Sequence, residues 1–189
     1  MRRSALSLLT PLLLCSSCVD YRALSPEQAA LREEHLQSLL NQSIEYMEQG
    51  SDDTLENANN ALELARDLDP NDPRVLDALG CVEWRRGNYK LAAYFFEKAL
   101  AADSGYDRAY VHLALNEERL GRIDSAEELL RIAIQLNPMN FRARNNYAAL
   151  LLDKGFPHEA RKQLQRAAHS AGREDAIMEI NLRQTSPSY

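Results

Sequence analysis

This 189-residue chain is short of the residues that build loops and basic surfaces. Glycine and proline number only seven each, which suits helices better than a loop-rich fold. Lys and Arg total 22 against 28 Asp and Glu, a net charge of −6. That balance argues against nonspecific nucleic-acid binding, which needs a basic footprint. Four histidines occur, His35, His112, His158 and His169, and none has a second His or Cys at metal spacing. His158-Glu159 lacks the second His of a zinc-protease motif. No glycine-rich phosphate loop exists, and the acidic pairs sit where solvated helix faces are expected. These shortages predict no catalytic centre, no metal and no cofactor. Apolar residues, at 45%, suffice for a continuous core.

Long hydrophobic runs are also missing. The longest, Ala5 to Leu14, is interrupted by Pro11 and falls short of the ~20 residues that span a bilayer. It follows the positive segment Met1-Arg2-Arg3 and has the length of a signal h-region, ~7–15 residues. Cys15-Ser16-Ser17-Cys18 comes next. As a bare C-x-x-C it reads as a redox pair or half a metal site. A cleaved signal without lipid and an uncleaved anchor are further readings. Ser16 and Ser17 before Cys18 resemble a bacterial lipobox, with Cys15 where Leu is usual. The resemblance implies a signal peptide over 1–17 and an acyl chain such as palmitate on Cys18. Val19 after the cysteine implies an outer-membrane location facing the periplasm. Loss of residues 1–17 leaves 20 basic against 28 acidic residues, a charge of −8. Cys81 is then the one remaining thiol, so no intramolecular disulfide forms in the oxidising periplasm.

A polar tether, 18–25, leads into a helix start at Ser25-Pro26-Glu27-Gln28, with Ser at the N-cap, Pro at N1 and Gln at N3. Leu36, Leu39, Leu40, Ile44 and Met47 share one helical face. Gly50-Ser51-Asp52-Asp53 ends this helix. A second amphipathic stretch, Leu55 to Leu68, stops at Asp69-Pro70-Asn71-Asp72-Pro73. From there three blocks of 34 residues begin at Pro73, Asp107 and Phe141. Gly87, Gly121 and Gly155 recur at that interval, as do Ala92, Ala126 and Ala160, and Ala99, Ala133 and Ala167. Leu79, Leu113 and Tyr147 are each followed by a small residue: Gly80, Ala114 and Ala148. Phe96, Leu130 and Leu164 also correspond.

A 34-residue period with two helices per block resembles the tetratricopeptide repeat (TPR) from Leu36 to Gly172. The resemblance implies an all-α, right-handed superhelical stack of helix-turn-helix units over 26–172. A degenerate repeat covers 36–72, and repeats follow at 73–106, 107–140 and 141–172. A capping helix at 173–183, carrying Ile177 and Ile180, and a disordered tail at 184–189 complete the expectation. Small residues let paired helices approach. Glycine ends the first helix of each block where φ is positive, and Pro70 and Pro138 stop second helices.

The family lines a concave groove with its first helices and binds other proteins there, so a scaffold rather than an enzyme is expected. Groove positions carried over from the resemblance are Arg74, Arg108 and Arg142 at position 2; Asp77, Val111 and Asn145 at position 5; Trp84, Glu118 and Leu152 at position 12; and Arg85, Arg119 and Asp153 at position 13. Arginine forks onto carboxylates, so this ladder suits an acidic partner segment. The alternative is that the arginines pair with neighbouring acids such as Asp77 or Glu118 and hold repeats together. Trp84 reads as an aromatic anchor or as inter-repeat packing. Asn146 and Arg142 match part of a carboxylate clamp of this family, while Asp77 and Cys81 stand where Lys and Asn would be needed. Cys81 reads as a small buried or half-buried residue, with an intermolecular disulfide or a reactive thiol as alternatives. A lipid anchor plus such repeats, with the run Arg144-Asn145-Asn146-Tyr147-Ala148, resembles type IV pilus pilotin and assembly lipoproteins, which implies a secretin partner. Adaptors that recruit peptidoglycan hydrolases or proteases are the second resemblance, and a periplasmic enzyme is the third reading.

Overall fold

The computed structural model describes residues 24–171. The signal segment, Cys15, Cys18, the capping helix at 173–183 and the tail lie outside the described residues. Within them the chain forms eight helices: α1 Pro26–Gln49, α2 Asp52–Leu68, α3 Pro73–Arg85, α4 Tyr89–Ala102, α5 Asp107–Arg119, α6 Ile123–Leu136, α7 Phe141–Asp153 and α8 Pro157–Ala171.

Local chemistry sets the helix ends. Ser25 accepts from the Gln28 backbone N–H while the Gln28 side chain accepts from the Ser25 N–H, a reciprocal cap. Ser51 and Thr54 do the same for α2. The extra residues of the degenerate first repeat therefore build the cap and first turn of α2. Asp72 accepts from the backbone of Arg74 and Val75, with Pro73 at the first helical position. The first helix of each regular repeat closes on a glycine with positive φ: 80° at Gly87, 76° at Gly121 and 82° at Gly155. In each case the following N–H reaches back to the carbonyl of Glu83, Glu117 or Leu151. This loop satisfies carbonyls the helix end would otherwise strand.

Consecutive helices pair as α1/α2, α3/α4, α5/α6 and α7/α8, and the second helix of each pair packs on the first of the next. In addition α1, α3, α5 and α7 touch in succession. The result is the all-α superhelical stack, with the first helices forming one wall. Ala92, Ala99, Ala126, Ala133, Ala160 and Ala167 are all fully buried. Leu36, Leu39, Leu40 and Met47 of α1 enter one core with α2 and α3. Ile44, expected on that face, is 43% exposed and lines a cavity on the inner wall instead. Among the described residues no helix is long and apolar enough to cross a membrane.

Candidate functional site

The inner wall does not treat its arginines alike. Arg74 is bound within the fold. Its Nη1 lies 2.7 Å from Glu33 Oε1 on α1, and its Nη2 lies 2.6 Å from Asp72 Oδ2. Its Nε also donates to Asp72 Oδ1 at 3.0 Å. Hydrogen bonds to Asp72 and Glu33 raise the Arg74 pKa further above its ordinary value. Burial pushes the Asp72 carboxyl up, but the bonds from Arg74 outweigh it and leave the pKa lowered. Arg74 thus ties α1 to α3.

Arg85, Arg108 and Arg142 are exposed. Among the described residues none of them has a carboxylate within 4.0 Å. All three line one cavity of about 390 Å³ on the inner wall, with Ile44, Met47, Glu48, Trp84 and Leu115 among its other walls. Arg108 and Arg142 also border an adjoining depression of about 410 Å³. Arg142 lies 5.8 Å from the Phe141 ring. The acids expected to neutralise the ladder do not: Asp77 faces His112, and Glu118 is exposed with no arginine within 4.0 Å among the described residues.

Other groove positions divide between surface and packing. Trp84 is half-buried and lines the cavity. The Arg119 guanidinium lies 5.5 Å from its ring centre and Tyr89 meets it edge-on, so Trp84 also joins α3 to α5. Its indole N–H is buried and has no acceptor among the described residues. Val111 is only 4% exposed and forms the floor of the second depression. Asp77 is 2% exposed. These two positions offer a partner little side-chain surface, because Asp77 of α3 is covered against α5 and Val111 of α5 is buried in the core it shares with α7. Asn145, Asn146 and Leu152 are half-buried on α7, and Asp153 is exposed at its end.

The structure also assembles a group that the sequence analysis left scattered. Asp77 and Cys81 stand one turn apart on α3, and His112 comes from α5. His112 Nδ1 lies 2.7 Å from Asp77 Oδ1 and 3.5 Å from Cys81 Sγ. Burial would lower the pKa of His112, but its close contacts with Cys81 and Asp77, including the hydrogen bond to Asp77, outweigh burial and push it up to about 10. The imidazolium is therefore the internal partner of the buried acid. Cys81 and His112 both border the arginine-lined cavity. The expectation of no metal-type constellation came from spacing within single helices. His112 lies 35 residues beyond Asp77, one step past the repeat length, where stacked first helices put neighbours side by side. That offset is the signal which could have found it.

Tetratricopeptide-repeat models match residues 46–107 and 112–176, and another matches 83–132. No curated protein matches the chain. Among solved structures, pilF of Pseudomonas aeruginosa is 23% identical with a TM-score of 0.71, covering 82% of this chain and 68% of that one. The Cut9-Hcn1 hetero-tetramer of the APC/C is 19% identical with a TM-score of 0.65, covering 78% of this chain, which spans only 29% of that one. The first TPR of Spaghetti (RPAP3), bound to the HSP90 peptide SRMEEVD, is 22% identical with a TM-score of 0.56, covering 60% and 90%. At these identities the structural likeness establishes the fold, and fold alone does not specify function. With its 34-residue period, its glycine-closed helix pairs and repeat models over more than half its length, the chain belongs to the tetratricopeptide-repeat family.

Proposed function

We propose that this protein is a membrane-anchored periplasmic scaffold whose groove holds an acidic or carboxylate-bearing segment of a partner protein. The observation that carries this reading is the convergence of Arg85, Arg108 and Arg142 on one cavity with no carboxylate in ion-pair range among the described residues. In a chain of net charge −6, three such guanidinium groups are preorganised for an anion. Each charge-assisted bond to a carboxylate contributes ~1.5–3 kcal/mol. The peptide held by the matched Spaghetti repeat, SRMEEVD, is itself acidic, which favours the same ligand chemistry. Catalysis has no part in this reading.

The partner is expected to be an outer-membrane secretin or another envelope component in type IV pilus assembly. Support for that finer step is the lipobox-like segment around Cys18 and the envelope-lipoprotein resemblance. An adaptor for hydrolases or proteases is the alternative. Capture from detergent-solubilised outer membrane, followed by affinity measurement against the recovered protein, tests the reading. Arg108→Ala should weaken that affinity roughly 10- to 150-fold at unchanged thermal stability, and added salt should weaken it further. Arg74→Ala should do the reverse. It should keep affinity and lose on the order of 1 kcal/mol of stability, a figure kept small by solvent screening of a partly exposed pair. Equal affinity of wild type and Arg108→Ala would overturn the groove reading.

The anchor is tested separately. Intact mass spectrometry of protein taken from membranes should find acyl chains on Cys18. Cys18→Ser should release an unacylated protein into the periplasm, while Cys15→Ser should leave the modification in place. Wild-type protein without acyl mass would remove the anchor from the proposal.

A further inference from the structure

We infer that Asp77, Cys81 and His112 form a binding site for a divalent transition-metal ion of the zinc class, open on one side to the groove. The three donor atoms, a carboxylate oxygen, a thiol sulfur and an imidazole nitrogen, all lie within 4.8 Å of one another. They come from two helices held by the stack, with Asp77 buried behind and the other two residues bordering the cavity.

The geometry favours a shared cation over a nucleophile relay. A thiol–imidazole–carboxylate relay uses both ring nitrogens, one toward the thiol and one toward the acid. Here the same nitrogen, Nδ1, faces both Asp77 Oδ1 and Cys81 Sγ. Three donors gathered within 4.8 Å of one another fit coordination. A mixed sulfur, nitrogen and oxygen set is the kind that zinc accepts. Bond lengths of ~2.3 Å to sulfur and ~2.0–2.1 Å to nitrogen at tetrahedral angles place those atoms about 3.5 Å apart. The sulfur–nitrogen separation found is 3.5 Å. The nitrogen–oxygen separation of 2.7 Å is that of a hydrogen bond, and must open to about 3.4 Å once the proton between them leaves.

Binding would displace the Nδ1 proton and the thiol proton to solvent. A carboxylate, a thiolate and a neutral imidazole then balance a dication at net charge zero. That neutrality lets the site coexist with the groove arginines, which would repel an uncompensated cation. Three protein ligands leave a fourth position for water or for a donor atom of whatever occupies the groove. The inference is independent of the groove's partner, since metal alone is the probe.

The test uses the full chain with Cys15→Ser and Cys18→Ser, so that Cys81 is its single thiol. Cobalt(II) titrated into the metal-free protein should produce a thiolate-to-cobalt charge-transfer band saturating at one equivalent, and zinc should abolish it. Zinc should also slow alkylation of Cys81. Cys81→Ser should lose the band, and His112→Gln should weaken binding tenfold or more, with circular dichroism reporting that each variant is folded. Absence of the band in the parent protein overturns the inference without recourse to any variant. So does a band that survives Cys81→Ser, or alkylation at one rate with and without zinc, which would leave a reactive thiol beside an imidazolium.

Discussion

Gly80→Ala should cost the fold ~1–3 kcal/mol, and Phe96→Leu introduced with it should recover most of that loss. Gly80 lies inside α3, where a Cβ would run into the Phe96 ring, meeting Cδ1 at 2.6 Å and Cε1 still closer. Phe96 is 1% exposed and packed among Ala92 and Leu113, so the ring can move aside only by giving up that packing toward the groove cavity it borders. The other two regular repeats solve the same contact differently. They put Ala114 opposite Leu130 and Ala148 opposite Leu164 at the corresponding places. The first regular repeat thus trades a methyl on one helix for a larger ring on the other. Phe96→Leu alone should cost on the order of 1 kcal/mol through lost packing, while the double variant recreates the pairing of its neighbours. Thermal unfolding checks this, at roughly 2–4 °C per kcal/mol for a chain of this size. The cycle should show strong coupling. Additive losses would mean that the two residues do not oppose each other.

Asn116→Leu should stabilise the protein, by ~1–3 kcal/mol. Asn116 on α5 is fully buried. Neither its amide nitrogen nor its amide oxygen has a hydrogen-bond partner among the described residues. The equivalent places in the adjoining repeats hold Val82 and Leu150, both buried in apolar cores. An amide taken from water without new partners costs free energy that an apolar group of similar size does not. Leu restores the pattern of the neighbours and removes the cost. In urea the midpoint should rise with an unchanged m value, which separates a stability gain from a change in the unfolded chain. A midpoint that stays put or falls would show that the side chain is satisfied in solution.

The architecture was legible along the chain because its determinants are short-range. Ser25 with Gln28, Asp72 with Pro73, and glycines at 87, 121 and 155 mark helix ends through bonds spanning two to five residues. The alanines that recur every 34 residues identify the packed face, since every copy meets the same neighbours. The degenerate first repeat was harder to read because α1 starts at Pro26, well ahead of the repeat register. The sequence by itself therefore determined the helix pairs, their order and the family.

The fate of residues on the inner wall was decided by tertiary structure. Arg74, Arg108 and Arg142 hold the same repeat position, yet among the described residues only Arg74 meets an acid from a preceding helix, Glu33, 41 residues away in the chain. That acid sits on α1, outside the 34-residue register, so periodicity carries no sign of it. Arg108 and Arg142 meet the cavity instead. Likewise Asp77, Cys81 and His112 became a cluster only when α3 stacked against α5. A repeat states which residues are equivalent, but charge pairing and ligand geometry depend on which non-equivalent side chains face each other across helices. That is settled by stacking at ångström scale.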